Sequence, residues 1–420
     1  MDGILKVDGV LEVRIGSLGN DVGGVSPSRD RKTVFVQGAL PGELVRCRPV
    51  KEAGSFIKAE LLQVLEPSSR RVEPFCPVFG TCGGCSLQHL EYGEQLRWKR
   101  EWVIRAMERC GIGLESHFVE EAVPSPEARN YRNRVSFDMT PEGPGLHMRR
   151  GDPVAVPFCP LLNRTGLEAF SRLSGRALPG CRRVSVRASD RTGRSMVEFS
   201  ELPPGGIPDL GEGVAAAWPR NGRWEYGSKA APFTEELAGC SFRIGPGCFF
   251  QVNTGAAGIL VEKVLGLLPP GGRILDLYGG CGTFALPAAA SGARVVSVEM
   301  DKASSESGRA SAAENGLKNV EFVTCRSRQF LVEDLKDGQA WDAVIVDPPR
   351  AGLGVRDARL LRRMRTPLIV YVSCNPFSLA RDLGIICERD WKVAGITPVD
   401  MFPQTDHVET LTELRRAGRG

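Results

Sequence analysis

The sequence predicts a multidomain α/β protein in three parts. These are a small N-terminal β-barrel over residues 1–65, a central α+β domain over 66–246, and a C-terminal doubly wound, Rossmann-like domain over 247–420. Three observations carry this. At 420 residues the chain exceeds what one ordinary core covers. From about residue 247, short strand-like runs between Gly/Pro turns give way to strand–helix alternation with continuous apolar strands. Such strands belong to a parallel sheet buried on both faces. Ahead of that change, Cys76, Cys82 and Cys85 crowd a glycine-rich loop.

In the first part, Leu11-Glu12-Val13, Val34-Phe35-Val36 and Leu44-Val45 are broken by Gly19, Gly23-Gly24 and Pro41-Gly42. Strand-length runs at this spacing predict a compact five-stranded barrel. Barrels of this kind often offer a face to oligonucleotides, although fold alone is weak warrant for function. Pro67-Ser68-Ser69-Arg70-Arg71 reads as a linker. Residues 95–110 carry apolar positions at Leu96, Trp102 or Val103, Ala106 and Met107 and stop at Gly111, which predicts a helix. Residues 131–245 alternate strands (Arg134-Val135-Ser136-Phe137, Val184-Ser185-Val186-Arg187, Met196-Val197-Glu198-Phe199) with loops, of which 202–213 reads as a surface loop. The last part offers four buried strands, 273–277, 293–299, 342–347 and 368–373.

With 42% hydrophobic and 25% charged residues, the composition is that of an ordinary globular protein. No run approaches the ~20 apolar residues of a membrane span. The opening Met1-Asp2-Gly3-Ile4-Leu5-Lys6 lacks the pattern of an export leader. The expectation is a cytoplasmic protein with no membrane partner. The net charge of +4 decides nothing, but the arginines cluster. Arg182, Arg183, Arg187, Arg191 and Arg194 form one group; Arg356, Arg359, Arg362, Arg363 and Arg365 form another. Each suits a phosphate backbone or, equally, a solvated basic face. Thirteen cysteines, an odd number, argue for reduced thiols rather than a disulfide framework.

An apolar strand ending in Asp276, the turn Gly279-Gly280-Cys281-Gly282 and a second strand ending in Glu299 form a nucleotide-binding layout. Glycines such as Gly280 let the backbone approach a ligand, and the acidic strand end can accept ribose hydroxyls. The turn departs from the spaced dinucleotide fingerprint and fits S-adenosylmethionine better than NAD. Asp347-Pro348-Pro349 on a later strand strengthens that reading. The plain alternative is a turn that only packs helix on strand.

Tyr371-Val372-Ser373-Cys374-Asn375-Pro376 places a thiol where a buried strand ends, the rim at which open α/β sheets bind ligands. A thiolate attacks carbon readily at neutral pH when partly exposed. The plain alternative is a small core cysteine. Further on, Asp400-Met401-Phe402-Pro403 and His407-Val408-Glu409 supply carboxylates and a histidine. Glu409 could take a proton from a carbon activated by the thiol, or be a strand-edge surface carboxylate. Cys76, Cys82 and Cys85 need a fourth ligand for a closed site, and Cys159 between Pro157-Phe158 and Pro160-Leu161 is the best candidate. Four cysteines suit zinc or an iron–sulfur cluster, and spacing leaves both open.

Together these motifs resemble the RNA uracil-5 methyltransferase family, in particular its RumA/RlmD-type branch acting on 23S rRNA. The resemblance spans the chain. Gly38-Ala39-Leu40-Pro41-Gly42-Glu43 is similar to the turn of a TRAM domain. Cys76, Cys82, Cys85 and Cys159-Pro160-Leu161-Leu162 resemble the family's [4Fe–4S] ligands. Tyr131-Arg132-Asn133-Arg134, Phe249-Phe250-Gln251-Val252-Asn253, Ser373-Cys374-Asn375-Pro376 and Leu379-Ala380-Arg381-Asp382-Leu383 follow in the family's order.

The resemblance implies a class I methyltransferase. Cys374 would add to carbon 6 of uracil, and carbon 5 would accept the methyl group of S-adenosylmethionine. Glu409 would remove the carbon 5 proton. Gln251, Asp276, Gly280, Glu299 and Asp347 would hold the cofactor, with Tyr278 near it. It also implies RNA as partner, a monomer, and a segment 93–122 that packs with the catalytic domain. One departure stands out: the family usually has cysteine where this chain has Gly279, and here Cys281 fills the variable position. A tRNA target is the nearest alternative, although typical bacterial tRNA enzymes of the family lack the TRAM-like unit and the cysteines. An RNA-binding assembly factor on the same fold is the non-enzymatic one.

Overall fold

The computed structural model describes the chain except residues 1–4, 8, 21–22, 28–31, 113–117, 149–150, 228–232 and 418–420, and the side chains of 5–7. Its N-terminal sheet has seven strands where the sequence predicts five. In chain order these are Leu5–Val7, Val10–Arg14, Ser17–Gly19, Gly23–Ser26, Thr33–Gln37, Leu44–Ala53 and Phe56–Glu66. The surplus includes Leu5–Val7 and Ser17–Gly19, three-residue hairpin arms too short to show alternation. Where alternation exists it is obeyed: Leu11 and Val13 point inward and meet Val34, Val36 and Val45.

The predicted helix begins three residues earlier than expected, spanning Tyr92–Arg109. Its buried residues Gln95, Trp98, Lys99, Trp102, Val103, Ala106 and Met107 recur at helical spacing and form one face. That face bridges two cores. Trp98 and Trp102 pack with Leu18 and Leu40 of the N-terminal sheet, and the Trp102 indole donates to the Leu18 carbonyl at 2.9 Å. Val103, Ala106 and Met107 join Ile369, Tyr371, Leu379 and Ile396 in a core of the C-terminal sheet. Val119 joins the same core, and Val119 and Val123 bridge to Ile396 and Val399.

The central sheet is ordered Val154–Ala155, Gly143–Leu146, Arg134–Thr140, Arg183–Ser189, Arg194–Phe199, Val214–Arg220, Arg223–Tyr226. Here the expected basic cluster loses a member. Strand Arg183–Ser189 is covered on both faces, so Arg187 is 1% exposed and donates to the Cys248 carbonyl at 2.6 Å. Its guanidinium joins this sheet to the segment entering the C-terminal domain. The expected surface loop 202–213 carries no helix or strand, yet Leu210 turns into the central core.

The C-terminal sheet is ordered Val320–Thr324, Arg294–Glu299, Arg273–Leu277, Ala343–Val346, Leu368–Ser373, Glu409–Arg416, Trp391–Val399. The first five strands run parallel, Glu409–Arg416 runs antiparallel to both its neighbours, and Trp391–Val399 returns to the direction of the first five. Helices Ala285–Ala290, Lys302–Glu314, Ser327–Asp337, Gly354–Leu361 and Pro376–Ile386 connect them, and Ala343–Val346 and Leu368–Ser373 are buried throughout. The chain winds outward from Arg273–Leu277 in one direction, then returns to its other side at Ala343–Val346. That reversal opens a crevice at the carboxyl ends of the strands, where ligands of such sheets bind. No helix among the described residues is long and apolar enough to cross a membrane.

Candidate active site at the carboxyl edge of the C-terminal sheet

Strand Arg273–Leu277 ends in a turn built by close approach. Tyr278 takes the left-handed region (φ 62°), as does Gly280 (φ 56°). A Cβ at Gly279 would come within 2.0 Å of the Ser297 hydroxyl and 2.8 Å of Asp276 Oδ2. This accounts for the departure from the family pattern at 279: the Ser297 hydroxyl fills the space a side chain there would need. Glu299 organises the far wall, accepting from the Gly280 amide at 3.1 Å and the Asp301 amide at 2.7 Å.

Asp276 is fully buried; its Oδ2 accepts from Ser297 at 3.3 Å, while Oδ1 has no hydrogen-bond partner among the described residues. Burial, with the nearby charges of Asp347 and Glu299, pushes its carboxyl up to about 8. Burial pushes Asp347 up to about 7. The Tyr278 hydroxyl donates to Asp357 at 3.3 Å, at the edge of this wall. Gln251 is buried, and its backbone carbonyl accepts from Asn133 Nδ2 at 2.8 Å. An acidic, partly unsatisfied cradle with a glycine turn suits a cationic, hydroxyl-bearing nucleoside.

Cys374 follows strand Leu368–Ser373 directly. Asn375 caps the next helix, accepting from the Phe377 amide at 3.0 Å, and its Nδ2 donates to the Arg350 carbonyl at 3.2 Å. Ser378 Oγ also donates to Arg350 O at 3.1 Å. The thiol turn and the Asp347-Pro348-Pro349-Arg350 loop are thereby tied together. Asp382 completes the tie, accepting from the Leu353 amide at 2.7 Å and the Tyr371 hydroxyl at 2.8 Å.

Sheet register brings in the glutamate. Ser373 pairs with Thr410 across the antiparallel junction, so Cys374 and Glu409 are the next residues facing each other. Glu409 is 4% exposed, and its carboxyl is held well above the ordinary range by burial and by the charge of Asp347. Cys374 is half-buried. Burial first, then Glu409 and Asp347, push its thiol up to about 12, against the opposing pull of Arg350. The four groups form one electrostatic unit.

A resting thiol at that level is almost wholly protonated at neutral pH. Alkylation of the Cys374 peptide by iodoacetamide, followed by mass spectrometry without ligand, is expected to rise about tenfold per pH unit from pH 7 to 10. A plateau below pH 9 would contradict the burial and charge argument.

Sequence reading missed the residues that hold this centre. Lys99, fully buried, pairs with Asp400 at 2.5 Å and donates to the Phe402 carbonyl at 3.0 Å. The available signal was a lysine on the helix's apolar stripe, where a charge requires a partner.

The second cluster lies apart. Cys76, Cys82, Cys85 and Cys159 line one cavity of about 580 Å³, together with Arg132, Arg134 and His147. Their thiols sense one another. Burial raises Cys76, Cys85 (to about 12) and Cys159, and the proximity of the other thiols of the cluster adds to each. Among the described residues no three His, Cys, Asp or Glu side chains meet closely enough to hold a single metal ion.

The open sheet, its glycine turn and the acidic crevice define a methyltransferase fold of mixed α/β, multi-sheet type. The family model described as tRNA (Uracil-5-)-methyltransferase matches residues 238–417. An RNA methyltransferase of Thermosynechococcus vestitus is 32% identical, covering 96% of this chain and 97% of its own. The 23S rRNA (uracil(1939)-C(5))-methyltransferase RlmD of Alkalilimnicola ehrlichii is 31% identical, with 97% and 96% covered. The crystal structure of Pyrococcus abyssi tRNA (uracil-54, C5)-methyltransferase with S-adenosyl-L-homocysteine superposes with a TM-score of 0.77 at 29% identity, covering 96% of this chain and 99% of that one. The chain belongs to the RNA uracil-5 methyltransferase family.

Proposed function

We propose that this protein methylates carbon 5 of a uridine in RNA, most directly 23S rRNA, through a covalent bond between Cys374 and carbon 6 of the base. The observation that carries the reading is the register that sets Cys374 beside Glu409, with Asp347 and Arg350 in electrostatic reach. When bound, S-adenosylmethionine supplies an electrophilic methyl group on a cationic sulfur. Gln251, Asp276, Tyr278, Gly280, Glu299 and Asp347 would hold it; the orphaned Asp276 oxygen and the φ 56° turn at Gly280 support that cradle.

The chain's own part follows from its charges. Burial, with the acidic neighbours Glu409 and Asp347, keeps Cys374 protonated at rest, and positive charge entering the crevice lowers the thiol. Cys374 then gives up its proton to solvent water, and the thiolate adds to carbon 6. The ring's electron density moves to carbon 5, which takes the methyl group as its bond to sulfur breaks and neutral S-adenosylhomocysteine is left. Glu409, protonated at rest because it is buried, ionises once positive charge occupies the crevice and, as a strong base for a carboxylate, removes the carbon 5 proton. The electron pair left behind reforms the double bond and expels the Cys374 thiolate. A base must leave its stack to reach such a pocket, which favours a looped RNA. The N-terminal sheet, read as a TRAM-like module, would grip that RNA.

The cysteine cavity fits a [4Fe–4S] cluster at Cys76, Cys82, Cys85 and Cys159. Four thiols line one cavity, an all-cysteine ligand set that suits such a cluster, and the family resemblance favours it over zinc. Anaerobically purified protein is expected to be brown, with about four irons per chain; a colourless, zinc-loaded protein contradicts this. Methyl transfer requires no redox step, so a positional role suits the cluster.

The relative of A. ehrlichii supports an rRNA target, whereas the likeness to the P. abyssi enzyme supports tRNA as the second reading. Labelled S-adenosylmethionine, this protein and unmodified total RNA decide between them once the labelled uridines are mapped. Label in 23S rRNA is expected. Label confined to tRNA overturns the target, and label absent from uridine overturns the activity.

A further inference from the structure

The segment 400–407, which leads into Glu409, is held in an unfavourable shape from outside. Gln404 adopts φ 70° although it is not glycine, a conformation that persists only where surroundings enforce it. The enforcement comes from two sides. From the helix Tyr92–Arg109, Gln95 accepts from the Gln404 amide at 3.0 Å, and Lys99 is bound to Asp400 and to the Phe402 carbonyl. From the cysteine loop, the residues after Cys85 hold it. The amides of Ser86 and Leu87 both donate to the Gln404 carbonyl, at 3.0 and 2.9 Å. Ser86 Oγ donates to Asp406 Oδ1 at 3.0 Å and accepts from the Asp406 amide at 3.0 Å.

The fourth cysteine connects to the other wall of the crevice. Leu161, two residues after Cys159, accepts at its carbonyl from the Arg132 amide at 2.7 Å. The adjacent Asn133 donates its amide to the Val252 carbonyl at 2.8 Å and its Nδ2 to the Gln251 carbonyl at 2.8 Å. Thus the two chain segments that carry Cys85 and Cys159 each fasten one segment of the reaction centre. Gathering the four cysteines around one bound group fixes both fasteners at once.

We propose that the four-cysteine site is a positional lock on the reaction centre, and that Ser86 is the positioning residue linking it to the glutamate-bearing segment. The idea rests on the proposed roles of Cys374, Gln251 and Glu409. Ser86 touches neither RNA nor cofactor in this account; it acts through residues 404–406. Loosening the lock leaves binding intact and slows turnover, because Glu409 no longer meets carbon 5 in register.

The test uses the full chain purified anaerobically, as wild type, Ser86→Ala and Ser86→Thr. Amide hydrogen exchange over 400–407 is expected to quicken about tenfold in Ser86→Ala and to stay near wild type in Ser86→Thr, which keeps the hydroxyl. The kcat of Ser86→Ala should fall about tenfold, with the KM for RNA and the affinity for S-adenosylhomocysteine within about twofold of wild type. Wild type stripped of metal by oxidant and chelator should show the same faster exchange over 400–407. Unchanged protection in Ser86→Ala or in the stripped protein overturns the lock, as does a raised KM at unaltered kcat. If wild type methylates no uridine, the proposed function fails, and exchange still decides the lock.

Discussion

Replacing Cys374 by alanine is expected to reduce methyl transfer by roughly 10⁴-fold or more, below detection in an ordinary assay. No neighbouring group can substitute. Glu409 and Asp347 are carboxyls raised by burial, and neither forms a reversible bond to carbon 6 of a pyrimidine under mild conditions. The substitution removes one half-buried sulfur at a turn fixed by the Asn375 and Ser378 contacts to Arg350, so the fold should persist. Affinity for S-adenosylhomocysteine should stay within about twofold, because the thiol is not part of the proposed cofactor cradle. Turnover above about a tenth of wild type would remove Cys374 from the mechanism.

Glu409→Gln is expected to stop the reaction one step later. The amide is nearly isosteric but takes no proton, so methylated adduct accumulates instead of releasing product. A protein–RNA band that survives denaturing electrophoresis, and carries label from the methyl donor, is the expected result. Stability should not suffer. A carboxyl raised by burial favours the folded state when protonated, and that contribution is lost as pH rises through its folded value. The variant should therefore melt no lower than wild type at pH 7. An inactive variant with no covalent band would assign Glu409 to an earlier step.

Much of the C-terminal sheet was legible because its strands are continuous apolar runs, and a parallel sheet covered on both faces requires them. The position of Cys374 at a strand end was legible for a related reason: Asn375-Pro376 ends the strand at once. The partnership with Glu409 was less so. The two residues lie 35 positions apart, and only the antiparallel return of Glu409–Arg416 alongside Leu368–Ser373 makes them neighbours.

Pairwise compensation was also hidden. Gly279 looks like an anomaly until Ser297, on the adjacent strand, is found filling its space. Arg187 was read as part of a basic surface because charge spacing along a strand does not reveal a covering layer; its strand is buried on both faces. Lys99 and Ser86 escaped notice because their partners, Asp400 and Asp406, lie more than 300 residues away in sequence. Short hairpin arms such as Ser17–Gly19 hold too few residues to show any period.

The proposed bond between Cys374 and the base is tested most directly with RNA carrying 5-fluorouridine. Fluorine at carbon 5 cannot leave as a proton does, so Glu409 has nothing to remove and the adduct is trapped. Wild-type protein incubated with such RNA and S-adenosylmethionine, then digested, should yield one modified peptide. The expected mass is that of the Cys374 peptide plus a methylated 5-fluorouridine nucleotide. A nucleotide attached to any other residue, or fluorinated RNA recovered unmethylated and unbound while uridine RNA turns over, would contradict the account.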